Sequence, residues 1–207
     1  MFIIPYAILI AQTYTRTLIL AKISSTDLDK TRYAANMQNN QQAHNTKKPV
    51  STRRYCAFDL ENLVGQAAVS ADAGIGIAYL LQDILHLEPD DLVVTGGGTH
   101  NAFAVGEVSK ILHGQTLCRG GHNGADLALI EQLDHIPSAS ITSLSAPINE
   151  VIIGSGDGIF TSVVRRLQNR GLVVTCIAYS RALHPALELA CNKVIRLEQY
   201  INNQQAA

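Results

Sequence analysis

The apolar run Val151, Ile152, Ile153 breaks into Gly154-Ser155-Gly156-Asp157-Gly158, and a segment with helical spacing follows from Thr161 to Arg170. Three consecutive β-branched residues favour a strand covered on both faces, where nothing forces polar and apolar positions to alternate. In the segment after it, Val163, Val164 and Leu167 fall on one side and Arg165, Arg166 and Arg170 on the other, an amphipathic helix. Strand, glycine turn and helix make up the unit of an open α/β sheet, and the turn lies at the carboxyl edge where such sheets place ligands. Glycine lets the backbone come close to a bound group. A single carboxylate, Asp157, stands at this break, where it is placed for metal or phosphate chemistry.

The same unit recurs along the chain. Residues 55–58 read as a short strand ending at Asp59, and 92–95 as a strand that empties into Gly96-Gly97-Gly98. Residues 115–118 and 172–178 read as further strands, and 194–197 as the last. Ile77, Leu80, Leu81, Ile84 and Leu85 predict a helix over 74–87. Further helices are expected over 100–113, 125–135 and 185–190. Regular alternation of this kind predicts a three-layer α/β fold, a central and mostly parallel sheet with helices on both faces.

The first part of the chain reads differently. Residues 34–52 are rich in Asn and Gln and cannot bury enough surface to fix themselves. Residues 1–52 are therefore expected to be a poorly ordered extension and polar linker, 53–198 the folded domain, and 199–207 a tail. The apolar start is interrupted by Arg16, too soon for a spanning helix of about 20 residues, so no membrane is expected. Four scattered cysteines, Cys56, Cys118, Cys176 and Cys191, without zinc spacing fit reduced thiols and a cytoplasmic setting. Residues 1–52 hold six Lys and Arg against two Asp, a net of +4, whereas 53–207 hold 10 basic and 15 acidic residues, a net of −5. An acidic domain is not the usual footprint of a bare nucleic-acid binder. It suits carboxylates offset by a divalent metal.

Three acids share one address in this scheme. Asp59 ends the first strand, Asp126 starts a helix after a strand and glycine loop, and Asp157 follows a third strand. Taken alone, Asp59 reads as an Asx turn and Asp126 as a first-turn acid working with the helix dipole. Their coincidence at one edge points to a site. Three carboxylates suit Mg²⁺ or Mn²⁺ and the in-line hydrolysis of a phosphodiester. Asn62, one helical turn after Asp59, is placed to orient a phosphate or a water. Ser155 and Thr161 flank Asp157 and can bond a phosphate or the carboxylate itself. Arg165 and Arg166 are candidates for backbone phosphates, or else a solvated helix face. The glycines at 96–98 offer a nucleotide loop, but neither G-x-G-x-x-G nor G-x-x-x-x-G-K-[ST] is present.

The segment Phe58-Asp59-Leu60-Glu61-Asn62-Leu63 resembles the opening D-x-x-N signature of NYN domains, a branch of the PIN-like nuclease superfamily. Residues 124–129, Gly-Ala-Asp-Leu-Ala-Leu, are similar to their central G-x-D-x-x-L segment, and 154–160 to their S-G-D-x-D-F segment. The likeness covers about residues 54–198 and implies a PIN-like fold. It also implies a metal-dependent endoribonuclease with Asp59, Asp126 and Asp157 as catalytic and metal-site acids, Mg²⁺ or Mn²⁺ as cofactor, and single-stranded or structured RNA as substrate. Homo-oligomerisation is left open. One position departs from the pattern: Ile159 stands where many members carry a second acid. That departure keeps a second expectation in view, a module of weak or absent activity that binds RNA or a protein partner. Glu61 and Glu107 are the alternative sources of a further carboxylate.

Overall fold

The computed structural model of the protein describes residues 52–204; the expected extension over 1–51 lies outside the described residues. The chain begins with β1 (Arg53–Asp59), which runs directly into the short helix α1 (Leu60–Val64). Next come α2 (Ala71–Leu85), β2 (Leu92–Gly97), a 3₁₀ turn at Thr99–Asn101 and α3 (Ala102–Ile111). Then follow β3 (Gln115–Cys118), α4 (Gly124–Asp134), α5 (Ser138–Ile141) and β4 (Ile148–Gly154). A 3₁₀ turn at Gly158–Phe160, α6 (Thr161–Asn169), β5 (Val173–Ala178), α7 (Pro185–Ala190), β6 (Lys193–Arg196) and α8 (Leu197–Gln204) complete it.

All six strands are parallel, in the order β3-β2-β1-β4-β5-β6. The chain winds outward from β1 in one direction, then returns to place β4 against the free side of β1 and winds outward again. The order therefore reverses between β1 and β4, and the carboxyl ends of that pair border the crevice typical of a ligand site. Asp59 and Gly154, the last residues of these two strands, meet there.

The two-residue period of the strands sorts side chains into two cores. Cys56, Phe58, Val93, Ile152 and Ile177 face α1, α2, α3 and α8. Tyr55, Ala57, Val94, Val151, Ile153 and Val174 face α4, α6 and α7. Both faces are covered, which is why the strands read as continuous apolar runs. Leu197 and Ile201 on α8 are buried in the first core, so the folded region continues past residue 198 into the segment expected as a tail. No helix among the described residues is long and apolar enough to cross a membrane.

Helix α2 starts at Ala71, earlier than its apolar spacing predicts, because Ser70 caps it by accepting from the Ala73 N–H at 3.2 Å. Gly74 and Gly76 lie inside the helix. The Gly74 face meets α3: a methyl group there would stand 3.0 Å from Val108 Cγ2.

One polar atom in the sheet is out of place energetically. Thr95 on β2 is fully buried and its hydroxyl has no hydrogen-bond partner. An unpaired buried hydroxyl costs about 1–3 kcal/mol. Thr95→Val is therefore expected to stabilise the domain by about 1 kcal/mol, read as a higher urea midpoint at unchanged slope. A lower midpoint would contradict this.

Candidate active site

Asp59 leaves β1 and caps α1, accepting from the Asn62 N–H at 3.3 Å. That cap lets the strand turn into a helix without a loop. It also fixes the carboxylate at the strand end, where only 5% of the residue is exposed. The Ser155 hydroxyl donates to Asp59 Oδ2 at 3.2 Å and accepts from the Asp157 N–H at 3.2 Å. The Asn62 side-chain oxygen accepts from the Gly156 N–H at 2.8 Å. These bonds pin the turn after β4 to α1 across the switch point. Asp157, exposed, caps the following 3₁₀ turn by accepting from the Ile159 N–H at 2.9 Å.

Asp126 enters from the first turn of α4. Its carboxyl lies beside that of Asp59, close enough for a hydrogen bond when one of the two carries a proton. Burial, and then the neighbouring Asp126 charge, push Asp59 up to about 7. Burial also raises Asp126, and the charges of Asp157 and Glu61 add to the effect. Asp126 is thus the centre of the acidic rim: it feels all three other carboxylates. An acid that resists ionising because of burial and like charge gains most from a nearby cation.

Of the two proposed extra carboxylates, Glu61 belongs to this rim. Its Oε1 accepts from the Gly98 N–H at 2.6 Å and the Asn101 side-chain amide at 2.8 Å, tying α1 to the loop after β2. Glu107 lies on α3 and pairs with Lys110 at 2.6 Å. Ile159 is half-buried and packs against the second core.

The residues expected to bind substrate divide. Ser155 is fully buried, and its hydroxyl donates to the Asp59 carboxylate and not to that of Asp157, from whose backbone N–H it accepts. Asn62 holds the backbone of the β4 turn. The Thr161 hydroxyl is buried without a partner. Arg166 forms a two-pronged bond to Asp134 of α4, at 2.9 and 2.7 Å, so its guanidinium is committed within the protein. Arg165 is exposed on α6. His100 bonds the Ala67 carbonyl at 2.8 Å, and the exposed His122 lies in the turn before α4.

A segment that the sequence did not single out also reaches the rim, the loop between β5 and α7. The His184 N–H donates to the Gly156 carbonyl at 2.8 Å. A methyl group on Gly156 would stand 2.4 Å from the Ala182 carbonyl oxygen, which explains glycine at that position. Contacts between distant loops leave no periodic trace in a sequence.

Among the described residues no group of three or more His, Cys, Asp or Glu side chains is placed to hold a metal ion. The donors at the rim are carboxylate oxygens, which suit the hard ions Mg²⁺ and Mn²⁺. Mg²⁺ keeps several waters and needs only one or two protein carboxylates, a demand that the Asp59 and Asp126 pair fits.

A family model of the NYN domain matches residues 43–198. The match starts inside the polar stretch read as a linker. None of the curated protein sequences matches the chain. Among solved structures, the crystal structure of a protein of unknown function from Vibrio parahaemolyticus RIMD 2210633 is similar in fold, with a TM-score of 0.50 at 11% identity. The likeness covers 75% of this chain and 98% of that one.

Proposed function

The chain belongs to the NYN-domain family, a branch of the PIN-like nuclease superfamily, and from that premise we propose that it is a metal-dependent endoribonuclease hydrolysing RNA phosphodiester bonds at the Asp59, Asp126 and Asp157 rim. The observation that supports this most is the buried Asp59 carboxyl set against Asp126, raised to about 7 with no cationic side chain among its causes. Such an arrangement is costly unless a cation offsets it. Mg²⁺ or Mn²⁺, held by Asp59 and Asp126 with Asp157 on the open side, would activate water and neutralise the charge that develops on the phosphodiester.

The chain's own groups do the positioning. Ser155 orients Asp59 and the Asp157 backbone together, so the two acids on either side of the crevice keep one spacing. Asn62 fixes the turn that presents Asp157. Glu61 supplies negative charge on the β2 side, standing in for the carboxylate that Ile159 does not provide. The Thr161 hydroxyl is a donor without a protein partner at the start of α6.

The test is cleavage of end-labelled single-stranded RNA by purified protein. Defined internal cuts are expected with Mn²⁺ or Mg²⁺ and none after chelation with EDTA. Cuts that persist in EDTA would contradict the metal dependence. Ile159 favours one other reading, a module that binds RNA without cutting it. RNA binding with no metal-dependent cleavage is the result that supports it.

A further inference from the structure

We propose that the loop between β5 and α7 binds the phosphodiester backbone of the RNA strand through Arg181 and His184, beside the acids of the rim. This rests on the ribonuclease reading for the identity of the polyanion. The placement of the loop rests on contacts of its own.

The loop lies against the β4 turn. The Ala182 carbonyl occupies the space over Gly156, and the His184 N–H is bonded to the Gly156 carbonyl at 2.8 Å. The His184 ring covers Gly158, its atoms 2.8–3.1 Å from where a Gly158 methyl would stand. His184 therefore flanks Asp157, the exposed acid between those two glycines. Its Nδ1 accepts from the Ala186 N–H at 3.1 Å. That bond places the ring proton of neutral His184 on Nε2. The residue is exposed, so an N–H donor is available beside the acid.

Arg181 holds the other end of the same loop. Its guanidinium lies 5.2 Å from the centre of the Tyr179 ring, an arrangement that fixes the long side chain. One of its terminal nitrogens comes within 3.4 Å of where a Gly65 methyl would stand. Gly65 ends α1, the helix that Asp59 begins. At 1.5 Å per residue, the five residues of α1 set its two ends about 8 Å apart.

Most other arginines are committed. Arg54 pairs with Asp91, Arg119 with Glu131, Arg166 with Asp134 and Arg196 with Glu188. Arg53 and Arg170 donate to backbone carbonyls. Among the described residues Arg181 has no carboxylate partner in hydrogen-bond range, and it stands at the carboxyl edge of the sheet. Residues 53–207 carry a net charge of −5, so attraction of a polyanion must be local. A fixed guanidinium beside an acidic rim meets that need, and Arg matches phosphate geometry better than Lys.

The test is fluorescence anisotropy of a labelled single-stranded RNA of about twelve nucleotides, with the full chain and Ca²⁺ in place of Mn²⁺. Arg181→Ala is expected to weaken binding about tenfold and to lower the slope of log K against log salt by about one. Arg181→Lys is expected to keep the salt slope while losing part of the affinity. His184→Asn preserves the helix cap and is expected to weaken binding about threefold. Thermal melts of each variant identify any loss of fold, and the lysine variant keeps the test open if the alanine variant is unstable. Wild-type affinity and salt slope in Arg181→Ala would overturn the proposal, as would absence of RNA binding by the wild type. Wild-type protein that binds RNA through Arg181 but never cleaves it would leave this inference standing and remove the ribonuclease reading.

Discussion

Asp126→Asn is expected to lower metal-dependent RNA cleavage by about 10²–10³-fold while the melting temperature falls by no more than a few degrees. The reason is position. Asp126 is the one acid whose ionisation responds to Asp59, Asp157 and Glu61 together. It joins the sheet from α4, so it closes the rim on the side opposite α1. Asparagine keeps the shape and one acceptor oxygen but removes the charge that holds a cation. The measurement is single-turnover cleavage at saturating protein, which separates chemistry from binding. A variant that cuts at the wild-type rate would take Asp126 out of the catalytic set.

Asp59→Asn is expected to have the opposite effect on stability and the same effect on activity. Asp59 has a folded pKa of about 7 against an ordinary value of 3.8, through burial first and the Asp126 charge second. The fold therefore favours the protonated acid. Its stabilising contribution is fully present below about pH 4 and is lost as pH rises through about 7. Metal-free wild type should become less stable across that window. Asp59→Asn removes the slope and keeps the cap on α1, since Asn and Asp cap equally well. At pH 8 the variant is expected to be more stable than metal-free wild type by a few kcal/mol, on the order of 3, with little difference at pH 4. Urea denaturation at the two pH values measures this. Added Mn²⁺ should then stabilise the wild type and leave the variant unchanged. A variant that is less stable than wild type at pH 8 would show that the carboxylate is satisfied by the protein.

The sequence made the sheet legible because both of its faces are buried. Val151, Ile152 and Ile153 form an unbroken run for that reason, and β1, β2 and β4 each end on an aspartate or a glycine, at Asp59, Gly97 and Gly154. Helix starts were less legible. Apolar spacing starts α2 at Gly74, yet the Ser70 cap starts it at Ala71, and Gly74 lies inside the helix where its missing side chain lets α3 approach. Helix α8 escaped notice because Leu197 and Ile201 are a single buried pair in an Asn- and Gln-rich segment.

The three aspartates were legible as a group because strand ends of a parallel sheet converge on one edge. What each polar residue does there was not. Arg166 looked like a phosphate contact and is paired with Asp134, 32 residues away. Ser155 read as a partner for a phosphate or for the Asp157 carboxylate, and it is fully buried and donates to Asp59. Arg181 and His184 belong to a loop with no motif, and only its packing over Gly156 and Gly158 brings them to the site.

The central claim is that the rim made by Asp59, Asp126 and Asp157 takes up a divalent ion. Calorimetric titration of metal-free protein with Mn²⁺ at pH 7, repeated in buffers of different ionisation enthalpy, tests it most directly. The expected result is saturable binding with release of a proton from the Asp59 and Asp126 pair. Both the binding and the proton release should be lost in Asp126→Asn. No saturable uptake by the wild type, or equal uptake by the variant, would contradict the account.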